Sequence, residues 1–201
     1  MIKERVVVGV DEVGRGSLAG PVVAAAVVLP GIDYPWLSEI KDSKKLSASK
    51  REKLSELIRE HCHWTIAQLE PYQIDEMNIL QATLRAMELA TNKLCSSLVR
   101  EDRQLVVLVD GNQLIPGLNS DIEQHAVVGG DNLHRAIAAA SIVAKVCRDT
   151  YMSQVDVILP EYGFAKHKGY GTEEHRMAIM VHGPSLFHRR TFRGVAEYVK
   201  D

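Results

Sequence analysis

The chain lacks any surplus of charge that would advertise a polyanion as its partner: 24 Lys and Arg stand against 26 Asp and Glu, a net charge of −2. Cysteine is scarce. Cys62, Cys95 and Cys147 are far apart, odd in number and show no C-x-x-C spacing, which argues against thiolate zinc or dithiol redox chemistry and points to reduced thiols of a cytosolic protein. No charged leader precedes a long apolar stretch, and the longest such run, GPVVAAAVVLPG, is too short to span a bilayer. A soluble intracellular protein with no membrane association is the expectation. Internal repeats, low-complexity tracts and Gly/Ser linkers are also missing, so nothing divides the chain. With 201 residues and 46% hydrophobic content it can bury one sizeable core. A single domain over residues 1–201 is expected, with a sheet-and-helix core over about 1–160 and a basic C-terminal part over about 161–201.

What is present alternates between strand and helix patterns. Residues 5–11 and 21–29 are short β-branched or Ala-rich runs around a glycine loop, which predicts a hairpin with a functional loop at its turn. SASKREKLSELIREH opens on cap-type serines and places Leu54, Leu57 and Ile58 on one helical face. HWTIAQLE reads as a third strand. From about Ile74 to Val99, apolar residues at helical intervals predict one long helix or two joined. QLVVLVDGN and EQHAVVGGD then read as strands, and NLHRAIAAASIVAKVCRDTYMSQV as a strong helix. This order predicts an α/β fold, a mixed sheet with helices on its faces and a ligand site at the strand ends.

Carboxylates mark those ends. Asp11 and Glu12 follow VVVGV, Asp110 follows LVVLV, and Asp131 follows VVGG. Clustered carboxylate oxygens repel one another unless cations neutralise them, and they suit Mg²⁺ or Mn²⁺, which support phosphodiester hydrolysis. Each acid also has a plainer reading. Asp110-Gly111 is an ordinary turn signal, and Asp131 stands where a helix N-cap is expected. Because adjacent strand residues point to opposite faces, Asp11 is the stronger direct ligand and Glu12 joins it only if the strand twists or ends between them.

Basic residues are unevenly spread. Between Phe164 and Gly194 there are six Lys or Arg against two acids, with four histidines. Lys44 and Lys45 in DSKKL, together with Arg189 and Arg190 in this cluster, suit contact with backbone phosphates; a solvated charged face is the alternative. The histidines His175, His182 and His188 are expected to pack or lie on the surface rather than bind metal.

The loop GRGSLAGP lacks both the G-x-G-x-x-G pattern and the Gly-Lys-Ser/Thr ending of nucleotide-binding loops, and alone it reads as a flexible turn. Its context is specific. DEVGRGSLAGPVVAAAVVL, DSKKLS, VDGN, AAASIVAKVCRD, HKGYGTEEH and HGPSLFHRRTF occur in that order from about Val7 to Phe192. Together they resemble ribonuclease HII, the type 2 ribonuclease H family.

The resemblance implies a ribonuclease H-like mixed sheet flanked by helices, with a C-terminal helical extension. It implies an Mn²⁺- or Mg²⁺-dependent endoribonuclease that cuts the RNA strand of RNA/DNA hybrids and single ribonucleotides embedded in duplex DNA, leaving 5′-phosphate and 3′-hydroxyl ends. The family's metal-binding acids fall on Asp11, Glu12, Asp110 and Asp131, its 2′-hydroxyl sensor on Gly14, Arg15 and Gly16, and its junction-sensing tyrosine on Tyr170. Asn78 in DEMNILQAT matches a further motif on the substrate side. Gly129 replaces a lysine common in the family, and the short tail after Phe192 gives no ground for docking to a sliding clamp. A monomer is the default. Two rivals remain: a metal-dependent phosphoesterase acting on structured DNA, and a non-catalytic hybrid-binding module.

Overall fold

The computed structural model describes residues 4–98 and 102–199. Five strands form one sheet in the order β3-β2-β1-β4-β5, with β1 at Glu4–Val13, β2 at Val22–Val28, β3 at His63–Leu69, β4 at Arg103–Asp110 and β5 at Glu123–Val127. The first three are antiparallel neighbours, whereas β4 lies parallel to β1 and β5 parallel to β4. The helices are α1 (Ala48–His61), α2 (Pro71–Met77), α3 (Ile79–Leu98), α4 (Gly130–Leu133), α5 (Arg135–Ile158), α6 (Phe164–His167) and α7 (Glu173–His182).

Helices cover both faces of the sheet, which is why its central strands read as nearly continuous apolar runs; all seven residues of β2 are buried. On one face Val8, Val10, Ala24, Val107 and Val109 pack with Met87, Ala90 and Leu94 of α3. On the other, Val23, Ala25 and Val27 pack with Ala138, Ala139 and Ile142 of α5. Alanines on α5 let it approach closely. At Gly9 the approach is closest: a Cβ there would stand 2.1 Å from the Ala136 carbonyl carbon. The backbone of α5 is thereby laid against β1, and its length runs toward the loop that follows that strand.

Two expected helices are each divided. The stretch from Ile74 breaks at Asn78, whose φ of 70° and ψ of 162° end α2, while its Oδ1 accepts from the Gln81 N–H at 3.1 Å and starts α3. Val99, the expected end of that helix, lies outside the described residues. The helix expected from Asn132 onward is interrupted at His134, which is extended between α4 and α5.

The chain beyond α5 folds back onto the loop between β1 and β2. The Leu18 N–H donates to the Gly169 carbonyl at 2.8 Å, Gly20 N–H to Phe187 at 2.7 Å and Arg189 N–H to Leu18 at 2.9 Å. Ala19, Met152, Tyr162 and Phe164 form a small core beneath. Thr172 caps α7 by accepting from the His175 N–H at 3.2 Å. Thr172→Ala removes that cap and is expected to cost about 1 kcal/mol, lowering the melting temperature by about 2–4 °C. A thermal melt indistinguishable from wild type counts against the cap.

Candidate active site

The strand register brings the first acids together. Val10 pairs with Val109 across the parallel β1–β4 ladder, so the next step sets Asp11 beside Asp110, both on the α5 side of the sheet. Glu12 alternates to the opposite side, but β4 has ended by then while β1 continues to Val13 against β2. The carboxyls of Asp11 and Glu12 are both held above their ordinary range. For Asp11 the causes are burial first, then repulsion from Glu12 and Asp110. Burial also dominates at Glu12; Arg15, whose Nη1 stands 3.5 Å from Glu12 Oε1, opposes it, and Asp110 adds repulsion. Asp110 Oδ1 accepts from the Gly130 N–H at 2.7 Å, which ties β4 to the start of α4.

Asp131 lies in the first turn of α4 and is buried. It does not cap that helix: the N-cap position belongs to Gly129. Burial raises its carboxyl above the ordinary range, followed by repulsion from Asp42 and Asp110, with Lys44 opposing. Asp42 is therefore a fifth acid beside the group, one that the sequence reading passed over although it heads DSKKL. It caps the short turn Ser43–Lys45 by accepting from the Lys44 N–H at 3.0 Å, and Ser43 Oγ meets Ser141 Oγ of α5 at 2.9 Å. The turn holds Lys44 and Lys45 exposed at the acidic edge, with Lys45 Nζ donating to Asn132 Oδ1.

The Gly-Arg-Gly loop leaves the end of β1 directly. Gly14 has φ of 94°, a left-handed backbone that side chains rarely adopt, and a Cβ there would meet Arg148 Nε at 2.2 Å. Arg15 and Gly16 are exposed. Tyr170 bridges to Ser17 and is 36% exposed as a residue, with its ring 5.4 Å from the Arg148 guanidinium carbon. The loop, Tyr170 and the acids thus share one edge of the molecule.

Arg189 corrects an expectation. It is fully buried, so it offers no phosphate contact; its guanidinium donates to the carbonyls of Gly14 at 2.6 Å, Arg15 at 2.9 Å and Gly20 at 3.0 Å. Arg148, also fully buried, donates to Pro21, Ala19 and Lys168 carbonyls at 2.9 Å each. Burial, and then the charge of Arg148, pull the Arg189 pKa down to about 9. The two guanidiniums frame the loop from behind. Arg190, by contrast, is exposed, with its N–H donating to Asp75 Oδ2 at 2.8 Å.

Among the described residues, no group of three or more His, Cys, Asp or Glu is arranged to enclose a metal ion. The donor chemistry nevertheless fits a hard divalent cation: carboxylates raise one another's affinity for protons, with Arg15 and Lys44 the cations recorded against them. His175 and His188 are buried in the C-terminal part and His182 is exposed, so none of the three joins the acids.

Comparison with known proteins agrees with this layout. The ribonuclease HII family profile matches residues 8–195. The chain is 47% identical over 194 residues to a ribonuclease HII of Novosphingobium aromaticivorans, covering 96% of this chain and 97% of that protein. The crystal structure of ribonuclease H2 from Pyrococcus horikoshii superposes with a TM-score of 0.76 at 27% identity, covering 96% of each chain. Bst-RNase HIII in complex with Mn²⁺ shares the fold with a TM-score of 0.75 at 21% identity, covering 98% of this chain and 70% of that one. The sheet is thus the ribonuclease H-like mixed sheet, and the chain belongs to the ribonuclease HII family of nucleases.

Proposed function

We propose that this sheet edge hydrolyses the RNA strand of RNA/DNA hybrids and cuts at single ribonucleotides within duplex DNA. The observation that carries the reading is the placement of Asp11 beside Asp110 at the strand ends, with the Gly-Arg-Gly loop leaving the same strand three residues on. Asp11, Glu12, Asp110 and Asp131 would hold divalent cations, Mg²⁺ or Mn²⁺. Such ions, when bound, lower the pKa of a water and stabilise charge on the leaving oxygen. Water oxygen joins the phosphorus, the bond to the 3′ oxygen breaks and that oxygen takes a proton, so the ends are 5′-phosphate and 3′-hydroxyl.

The remaining residues select and hold the duplex. At Gly14 and Gly16 the backbone can approach a ribose, and the 2′-hydroxyl is the group that separates RNA from DNA. Lys44 and Lys45 are exposed at the edge and Arg190 is exposed beside Asp75 of α2, and all three suit backbone phosphates, which gives affinity without sequence preference. A cytoplasmic monomer is part of the same proposal, and the three free cysteines suit a reducing compartment.

The deciding experiment compares two matched duplexes in Mg²⁺ and in Mn²⁺, one all DNA and one with a single ribonucleotide. Cutting only the second supports the proposal. Cutting both equally favours a general phosphoesterase, and cutting neither favours a binding module.

Tyr170 supplies a finer test. Its exposed ring can pack flat on a deoxyribose next to the ribose read by the loop, where no hydroxyl projects toward it. Stacking of that kind is worth about 1–3 kcal/mol, roughly a factor of five to a hundred and fifty. Tyr170→Ala is expected to cut cleavage of a single embedded ribonucleotide by about that factor and to spare a continuous hybrid. Equal loss on both substrates, or a collapse in melting temperature, overturns the junction role.

A further inference from the structure

Behind Tyr170, the buried histidines His188 and His175 make a chain of hydrogen bonds whose direction the backbone dictates. The Ser185 N–H, which can only donate, reaches His188 Nδ1 at 2.9 Å. At the other end the Tyr170 carbonyl, which can only accept, lies 3.0 Å from His175 Nδ1. Between them the two Nε2 atoms meet at 3.0 Å. His188 Nδ1 must therefore be bare and its Nε2 protonated, while His175 carries its proton on Nδ1 and accepts on Nε2. A third imidazole braces the pair: His167 stacks on His175 at 4.4 Å between centroids, accepts from the Gly169 N–H at 3.2 Å and donates to the Tyr162 carbonyl at 2.7 Å.

We infer that His188 and His175 are positioning residues, a one-way relay of neutral imidazoles that fixes the Tyr170 backbone against the Gly-Arg-Gly loop and so sets the tyrosine ring for junction recognition. The inference rests on the junction role proposed for Tyr170. Its geometry reaches both sides of the loop. Ser17 bridges to Tyr170 and Ala19 bridges to His188, so the relay joins the two segments between which the loop is clamped. Adding a proton to His175 would set two N–H groups against each other at the central contact, and adding one to His188 would set its Nδ1–H against the Ser185 N–H. Burial disfavours that proton, pulling His175 down to about 4 and His188 to about 3. The neighbouring titratable groups push the same way: His167 and Arg176 act on His175, and His175 and His167 act on His188.

The test joins a spectroscopic readout to kinetics. In ¹⁵N-histidine NMR of the wild-type protein, His175 is expected as the Nδ1–H tautomer and His188 as Nε2–H, neither titrating between about pH 8 and 5. Reversed tautomers, or titration of both rings in that range, overturn the relay whatever the variants do. His188→Leu fills similar space but removes the bond to His175, and it is expected to lower cleavage of the single-ribonucleotide substrate roughly tenfold, with kcat on a continuous hybrid near wild type. His188→Gln, whose amide replaces the Nε2–H donor, is expected to recover most of that loss. Equal behaviour of the Leu and Gln variants, or equal loss on both substrates, reduces the histidines to core filling and overturns the inference. The underlying reading fails separately: if Tyr170→Ala shows no substrate preference, the junction role falls, whereas a selective Tyr170→Ala beside an unselective His188→Leu sinks the relay alone.

Discussion

Asp110→Asn is expected to lower cleavage of either substrate by roughly a thousandfold or more while leaving the fold as stable as wild type. Metal ligation stabilises transition-state charge by several kcal/mol, and each 1.36 kcal/mol is about tenfold in rate. The fold is spared for a geometric reason. The hydrogen bond from the Gly130 N–H ends on Asp110 Oδ1, and asparagine keeps an oxygen there. Charge removal even relieves strain. Repulsion from Asp110 helps hold the Asp11 carboxyl above its ordinary range, and an acid whose folded pKa is raised weakens the fold once the pH rises through that value. Neutralising one partner removes that repulsion, so the melting temperature is expected to hold or rise slightly. Divalent cations should stabilise wild type by binding its native state and stabilise the variant less. Asp131→Asn carries the same expectation, since Gly129 and not Asp131 caps α4. Single-turnover cleavage beside thermal melts checks both variants. Near-normal turnover in Mg²⁺ by either would remove that residue from the metal-binding set.

The acids were legible because two separate features agree in the sequence: an apolar run announces a buried strand, and the carboxylate after it announces a strand end facing solvent. Register then does the rest, since parallel neighbours whose runs end together must bring Asp11 beside Asp110. The hairpin around the loop was legible for the same reason. What periodicity does not encode is the fine break. Asn78 interrupts an apolar helical stripe that continues on both sides of it, and only its left-handed φ of 70° separates α2 from α3. His134 breaks a helical pattern by another route, turning extended between α4 and α5. Asp42 escaped notice because it follows no apolar strand; it reaches Asp131 through a turn anchored on Ser141, a contact between residues about a hundred positions apart. The relay of His188 and His175 was beyond reach of sequence, because the neutrality of a buried imidazole depends on which backbone groups face it.

Arg189 and Arg190 are adjacent in HRRTF and identical in type, yet they are expected to fail in opposite ways. A basic run ordinarily faces solvent, so the sequence alone groups Arg189 with its neighbour as a phosphate contact. The structure buries it completely instead, with no carboxylate in ion-pair contact among the described residues and Asp75 acting only from farther off; three loop carbonyls, of Gly14, Arg15 and Gly20, take its donors. A guanidinium suits this task because it is planar and offers five N–H groups in a fixed fork. Arg189→Gln leaves loop carbonyls buried without partners at about 1–3 kcal/mol each, partly offset because a desolvated charge is no longer buried. The net loss is expected near 3 kcal/mol, a fall of about 6–12 °C in melting temperature for a chain of this size. Ribose selectivity should fall with it, because the loop proposed to read the sugar loses its frame. Arg189→Lys keeps the charge but not the fork, and should recover little. Arg190→Gln is expected to leave the melt unchanged and to flatten the plot of log affinity against log salt by about 0.9, the signature of one lost phosphate contact on B-form duplex. Titrations of plain DNA duplex at several salt concentrations, beside thermal melts of all three variants, make the comparison. If Arg189→Gln changed the salt slope and spared the melt, the buried frame would be wrong; if Arg190→Gln left the slope intact, Arg190 would return to the solvated surface and the duplex track would rest on Lys44 and Lys45.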